Sequence, residues 1–373
     1  MSLREKIEQE IRERGPMPFS RYMDICLYHP ELGYYSRNAE QFGKAGDFYT
    51  SSDVHAVFGR LLARQFEEMW RAMGSPGQVV ILELGPGRGL FAQDVLDWSE
   101  KRFPELFHAM RYSLDERSPA LRARIRSTLT RHFQSGKASL RDSEQPLALP
   151  AIIFANEFFD ALPVDVISSE GELRLEVHNG RLIERWVRPS PEHMEYLDRF
   201  SVHPGPGERI EISADAQQWM TNLGALLEHG FVILVDYGYT RDEQLAGRHR
   251  NTLATYRQHS VSHNPYEAPG EQDITAHVNF TALTAAAEQS GMRVHPLLTQ
   301  SQFLMGIGER NQFADAFEEC RLPQERAKVA LQLKHLVTPA GMGETFHVLV
   351  ASRGIVEEKI ASLSGLSFAR SQL

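Results

Sequence analysis

The chain has 373 residues, 42% of them hydrophobic, and a formal net charge of -9. That length and apolar share allow two or three domains or one large α/β domain with insertions, while the acidic balance argues against nucleic acid as the main partner, whose binding surfaces are ordinarily basic. The two cysteines, Cys26 and Cys320, lie far apart with no CxxC, which argues against a disulfide scaffold or a zinc site and reads as a reduced compartment with two buried thiols.

Met1 to Glu8 mixes both charge signs, unlike a signal or transit peptide, and no apolar run reaches the length of a membrane span. A cytoplasmic protein without membrane insertion is expected. Residues 2–14 read as a charged amphipathic helix stopped by Gly15-Pro16-Met17-Pro18. Residues 19–50 are dense in Tyr, Gly and Asp. Residues 51–73 carry Val54, Val57, Phe58, Leu61, Leu62, Phe66 and Met69 at helical spacing, and Gly74 to Gly77 break that helix.

An alternation of strands and helices follows. Val79 to Leu82 is a short apolar run suited to a buried parallel strand, and a helix is expected from Gly89 to about Arg102. Arg111 to Glu116 reads as a strand, Ser118-Pro119 as a helix start, Lys137 to Arg141 as a third strand and Ala151 to Ala155 as a fourth. Glu172 to Val177 and Arg181 to Val187 alternate around Asn179-Gly180, the signal of an inserted hairpin. Ser213 to Glu228 is helical and Phe231 to Asp236 is a fifth core strand. Residues 240–279 are polar and His-rich, too long for an idle loop. Helix 280–290, strand 292–297, a helical stretch around 309–337 and strand 345–352 complete the pattern. The expected fold is α/β, a doubly wound Rossmann-like sheet with ligands at the carboxyl ends of its strands.

Glu83-Leu84-Gly85-Pro86-Gly87-Arg88-Gly89 joins the first core strand to a helix. Glycines let backbone turn sharply and approach a ligand, and the helix start offers free amides to an anion. The spacing is GxGxG rather than the GxGxxG of dinucleotide sites. Glu83 suits the α-ammonium of S-adenosylmethionine and would repel a pyrophosphate. Glu116, ending the next strand, is placed to accept from ribose hydroxyls, with Asp115 its competitor. A class I S-adenosylmethionine-dependent methyltransferase is therefore expected, cofactor-bound through Glu83, Gly85, Gly87, Gly89 and Glu116, with S-adenosylhomocysteine as product. An NAD-dependent dehydrogenase is the disfavoured reading.

Beyond this loop the chain resembles the MidA-like methyltransferases, a family that includes a mitochondrial complex I assembly factor methylating protein arginine. The resemblance spans nearly the whole chain. It rests on Gly33-Tyr34-Tyr35, Gly46-Asp47-Phe48-Tyr49-Thr50-Ser51, Glu83 to Gly89, Glu116-Arg117-Ser118-Pro119 and Asn156 to Pro163. It continues through Asp236-Tyr237-Gly238-Tyr239, Asp273 to Val278, Gln302-Phe303-Leu304 and Gly341 to Glu344. The resemblance implies an arginine in a protein substrate, in particular a subunit of the respiratory NADH dehydrogenase. It also implies a cofactor lid with Asp47 and Thr50 facing the ligand. One departure is Asn251 before Thr252-Leu253, where the family tends to have glycine. Asn is the residue best able to replace glycine in a left-handed turn.

Methyl transfer to a permanently charged guanidinium needs carboxylates that hold and aim it. Glu157 and Asp160, delivered by the strand at 151–155, are the candidates, with Asn156 beside the cofactor. The competing readings are a capping role for Asp160 and a pocket-shaping role for Glu157. Asp273 and His277, four apart, would share the face of a helical turn. His277 is the candidate substrate-positioning residue, or a structural histidine. No metal is expected, since His259, His263 and these residues lack a recognised ligand spacing. Residues 1–76 are expected to form a helical lid region and 77–353 the methyltransferase domain, with insertions near 165–212, 240–279 and 305–340 and a tail at 354–373. The alternatives are a small-molecule O- or N-methyltransferase and a cofactor-binding assembly factor with little turnover.

Overall fold

A computed structural model describes residues 1–37, 56–142, 147–257, 260–262 and 264–372. The first helix, Leu3–Arg14, opens with a capping box in which Ser2 and Glu5 satisfy each other's amides. Leu3, Ile7 and Ile11 are buried four residues apart on one face, so the charges around them belong to the solvent face of a packed helix. After β1 (Met17–Pro18) comes helix Phe19–Tyr28, and later helix Ala56–Ala72, whose Val57, Phe58, Leu61, Leu62, Phe66 and Met69 are all buried as their spacing predicts. The alternating stretch follows the predicted pattern: β2 (Val79–Leu84), helix Leu90–Arg102, β3 (Met110–Asp115), helix Pro119–Thr128, β4 (Ala138–Leu140) and β5 (Ala151–Asn156).

The insertion holds more than a hairpin. It comprises β6 (Asp165–Ser168), β7 (Gly171–His178), β8 (Arg181–Val187) and β9 (Arg209–Ile212). Asn179 and Gly180 both have positive φ, +49° and +69°, the type I′ geometry their pairing predicts. Helix Ala214–Leu226 leads to β10 (Gly230–Tyr239), longer than its apolar run. The segment read as irregular contains β11 (Ala254–Arg257), β12 (Ser260–Ser262) and β13 (Asp273–Thr275), a small antiparallel sheet, followed by β14 (Val278–Asn279). Helix Phe280–Gln289 follows. In place of one strand at 292–297 there are two short ones, β15 (Arg293–Val294) and β16 (Leu298–Thr299). Helices Gln300–Glu309 and Pro323–Val337 precede β17 (Phe346–Arg353).

The chain divides into two compact units. One comprises Tyr49–Glu157, Thr221–Tyr237 and Ala287–Leu373. Its sheet runs β15-β17-β10-β5-β2-β3-β4, with β16 also on β17. β4, β3, β2, β5 and β10 are mutually parallel and β17 is antiparallel to β10. The strand order reverses between β2 and β5, the switch point where such sheets bind ligands. Phe91 stacks on Phe154 with centroids 4.4 Å apart, and Phe58 and Phe66 close around the pair. This aromatic cluster fixes helix Leu90–Arg102 against β5. Gly230 has no substitute, because a Cβ there would lie 1.9 Å from the Ala151 carbonyl oxygen.

The other unit comprises Met1–Phe48, Phe158–Met220 and Gly238–Ala286. Its antiparallel sheet runs β1-β7-β6-β9, with β8 on β7. Helices Leu3–Arg14 and Phe19–Tyr28 share a core with Val164, Val166, Leu173 and Leu175 of that sheet region. On β6 and β7, Asp165 and Glu172 hold His193 between them, at 3.4 Å from Nε2 and 2.9 Å from Nδ1, while the Ser20 hydroxyl donates to Asp165 at 2.7 Å. The Asp165 hydrogen bond raises the imidazole pKa against the opposing effect of burial, and Glu172 adds to the rise. Burial would raise Asp165, but the His193 and Ser20 bonds outweigh it and hold the carboxyl low.

A raised folded-state pKa gives stability that is complete below the unfolded imidazole value, about 6.5, and is lost as pH rises through the folded value. The depressed Asp165 contributes above its unfolded value, about 3.9, and fades as pH falls through its folded value. The cluster therefore stabilises most between about pH 4 and 6.5. His193→Ala should lose on the order of 1–2 kcal/mol at pH 5.5 and distinctly less at pH 9. Denaturant melts at both pH values check this; an equal loss at both would contradict the ion-pair account.

Candidate active site

At the carboxyl end of β2 the chain turns through Gly85, Gly87 and Gly89, with φ of +59°, +53° and +77°. Side-chain-bearing residues rarely adopt that conformation, which is why the loop spells glycine at alternate positions. The Gly85 amide donates to the Asp115 carbonyl at 3.0 Å and the Gly89 amide to Pro86 at 2.8 Å. Gly89 then caps helix Leu90–Arg102, whose first amides have no carbonyls behind them within the helix.

Glu83 lies one residue inside that strand end, 5% exposed, and accepts from the Tyr112 hydroxyl at 2.8 Å. Burial pushes its carboxyl up to about 8, the Tyr112 bond opposing the shift. Glu116 follows β3 directly and accepts the Ser118 amide at 2.8 Å. Burial lifts it to about 7 against the pull of the Ser118 and Arg117 amides. Asn156 ends β5, donating to the Glu157 carboxylate at 3.1 Å, and its buried Oδ1 has no hydrogen-bond partner among the described residues. Glu157 comes next with φ +49°, a left-handed conformation uncommon for a residue of its kind, while its amide donates to Val235 at 3.0 Å. In register, Leu84 pairs with Asp115 on one side and Ala155 on the other. Glu83, Gly85, Gly87, Gly89, Glu116, Asn156 and Glu157 thus share one edge of one sheet.

Asp160 and His277 belong to the other unit. Asp160 is buried, and its carbonyl accepts the Ala276 amide at 3.0 Å. Its charge acts on Tyr35 and Tyr256, both held above the ordinary phenol range chiefly by burial. The Tyr35 hydroxyl donates to Asp273 at 2.9 Å, its ring stacks on Tyr28, and Tyr34 is buried in the core. Asp273 and His277 do not share a helical turn, because Asp273–Thr275 is a strand paired with β11. His277 instead faces His249, Nδ1 to Nδ1 at 3.1 Å, and His249 stacks on Tyr239. Asn251 has φ +53°, so the glycine-like turn survives its substitution. Asp47, Thr50, His259 and His263 lie outside the described residues. Among the described residues, no group of three His, Cys, Asp or Glu side chains could hold a metal. Cys26 is fully buried, its thiol pushed up to about 12, whereas Cys320 is only partly buried.

Sequence reasoning passed over Tyr112 and Glu211. Each pairs across strands or loops distant in sequence, and neither sits in a local motif. Phe303 is buried in the core, while Trp186 and Trp219 are only partly buried.

A left-handed glycine cradle at a switch point, a buried acid at the end of β2 and a second just past β3 define a class I S-adenosylmethionine-dependent methyltransferase. The unpartnered Asn156 Oδ1 and the neutral-range Glu83 are groups a polar, cationic cofactor would satisfy. A family model described as S-adenosyl-L-methionine-dependent methyltransferase matches residues 61–298. The chain belongs to that family, the MidA-like methyltransferases.

Among solved structures, it is similar to a superfamily member from Burkholderia thailandensis bound to S-adenosyl-homocysteine, with 28% identity, TM-score 0.83 and coverage of 98% of this chain and 94% of that one. Among curated proteins, it is 30% identical to the protein arginine methyltransferase NDUFAF7 homolog, mitochondrial, of Drosophila melanogaster, over 95% of this chain and 86% of the relative. It is 29% identical to protein arginine methyltransferase NDUFAF7, mitochondrial, of Danio rerio, over 92% and 85%. These mitochondrial relatives overturn the expectation of a cytoplasmic protein. The mixed charge at the N-terminus belongs to the solvent face of a packed helix. No helix among the described residues is long and apolar enough to cross a membrane.

If Glu83 receives the cofactor's ammonium, binding must ionise a carboxyl that is mostly protonated at pH 7. Cofactor affinity should then rise from pH 6 to about 7.5, with protons released on binding. Glu83→Gln should remove the larger share of that release, the remainder coming from Glu116. Calorimetric titrations in buffers of different ionisation enthalpy measure it; release unchanged by Glu83→Gln would place the ammonium elsewhere.

Proposed function

We propose that this methyltransferase acts on an arginine side chain of a protein substrate, a subunit of the respiratory NADH dehydrogenase. The observation that carries the reading is the likeness over at least nine-tenths of the chain to relatives named protein arginine methyltransferases. The geometry of Asn156 and Glu157 supports it. A residue kept in a left-handed conformation after a buried strand is held there at a cost, and such strain concentrates where a side chain must point one way.

S-adenosylmethionine supplies an electrophilic methyl group when bound. Gly85, Gly87 and Gly89 would cradle its carboxylate end, Glu83 its ammonium, Glu116 its ribose and Asn156 a polar edge. The Glu157 carboxylate holds the guanidinium, spreads its charge and aims one nitrogen. Asp160 and His277 remain the other candidates for positioning the substrate.

Glu157→Gln should bind the cofactor within about twofold of wild type yet lower kcat/KM on an arginine substrate by about 100-fold or more. Glu157→Gly should be as inactive while matching wild-type stability or exceeding it by up to about 1 kcal/mol, since glycine relieves the left-handed strain. Labelled cofactor transfer, intact mass of the candidate subunit and thermal melts read both. Full activity in either variant, or transfer to lysine and not arginine, would overturn the proposal.

A further inference from the structure

Helix Pro323–Val337 packs by a narrow inward stripe. Leu333 and Leu336 are buried, and Val329 and Val337 lean on the same core. Its first turns bury nothing: every residue from Arg321 to Lys328 is exposed, although a helix of this length owes most of its stability to a packed face. The outward face carries Ala327, Lys328, Leu331, Lys334 and His335, spaced three and four apart and all exposed. Leu331 is 69% exposed and Leu322, at the helix entry, 56%. A single exposed leucine is ordinary on a protein surface. Here the leucines stand among cations, and that combination calls for a partner.

The charge of the segment runs against that of the chain. Arg321, Arg326, Lys328 and Lys334 face one acid, Glu325, between residues 321 and 337, in a protein whose net charge is -9. The Glu325 carboxylate is turned to the helix start, where it accepts the Arg321 and Leu322 amides at 2.7 and 3.0 Å. Just upstream, Glu318 and Glu319 are taken up by Arg102 and Lys101. Arg326 lies over the Phe317 ring, which leaves Lys328 and Lys334 on either side of Leu331 on the outward face.

We propose that this face seats the protein on an anionic lipid bilayer. The helix lies in the surface plane with Leu331 lowered toward the acyl region, while Lys328 and Lys334 reach the headgroups on their aliphatic stems. A protein partner fits less well, since protein interfaces are depleted in lysine and enriched in aromatic residues, and this face has two lysines and no aromatic. Each cation near an anionic surface is worth roughly fivefold in partitioning, so four cations and a leucine give reversible, salt-sensitive attachment rather than a permanent anchor. The inference stands apart from the arginine reading.

The test is co-sedimentation of the full chain with vesicles of phosphatidylcholine alone or with about one-third phosphatidylglycerol. Wild type should partition at least about tenfold more strongly to the anionic vesicles, and lose that preference in about 0.5 M salt. Lys328→Glu with Lys334→Glu should cut the anionic partitioning by about tenfold or more while keeping wild-type affinity for S-adenosylhomocysteine. Leu331→Ser, which leaves the charge unchanged, should lower it by about threefold or more. A control pair on other exposed cations, Arg111→Glu with Arg126→Glu, should partition within about twofold of wild type. Absence of vesicle binding, equal binding to the two vesicle types, undiminished binding in the lysine variant, or an equal loss in the control pair would overturn the assignment. Capture by polyglutamate without binding to anionic vesicles would overturn it in favour of an acidic protein surface.

Discussion

Everything at the active edge depends on one reversal of strand order. The chain lays down β2, β3 and β4 in one direction, then returns to place β5 on the free side of β2. Two neighbouring strands therefore end side by side with their connections leaving in opposite directions, and a gap opens above them. Gly85, Gly87 and Gly89 turn the backbone away at one side of that gap through left-handed φ values. Asn156 and Glu157 rise on the other side. A side chain at any of the three glycines would strain the turn.

The electrostatics of that edge follow from its burial. Glu83 is buried, and among the described residues only the Tyr112 hydroxyl donates to its carboxylate, so its pKa is pushed up to about 8. Glu116 is likewise lifted, though backbone amides hold part of it. The edge thus holds two acids that burial raises toward neutrality, set beside helix amides that would favour an anion.

The second unit carries a different kind of chemistry. Its sheets bring together buried acids, tyrosines and histidines from segments far apart in the chain: Tyr35 with Asp273, His277 with His249, Glu211 with Thr252. The supporting bonds run through loops, and Asn251 helps, its amide and side chain pairing with the Arg209 backbone at 3.0 and 2.8 Å.

What could be read from the sequence was local. The GxGxG spacing, the acid before it, the apolar runs of β2 and β5 and the Asn-Gly turn each report a conformation that only certain residues tolerate, so composition at a few adjacent positions determined them. The parallel core and its cofactor class followed. Strands β6, β9, β11 and β13 were not legible, because three or four residues are too few for a period to declare itself and their pairing partners lie elsewhere. The helical-turn reading of Asp273 and His277 failed for the same reason: four-residue spacing is meaningful only if the backbone is helical, and pairing with β11 made it extended. The left-handed Glu157, the Tyr112 support of Glu83 and the burial of Glu211 were decided by tertiary structure alone. A side chain's charge state and its missing partner are properties of the surroundings, and those surroundings come from residues that the linear order keeps apart.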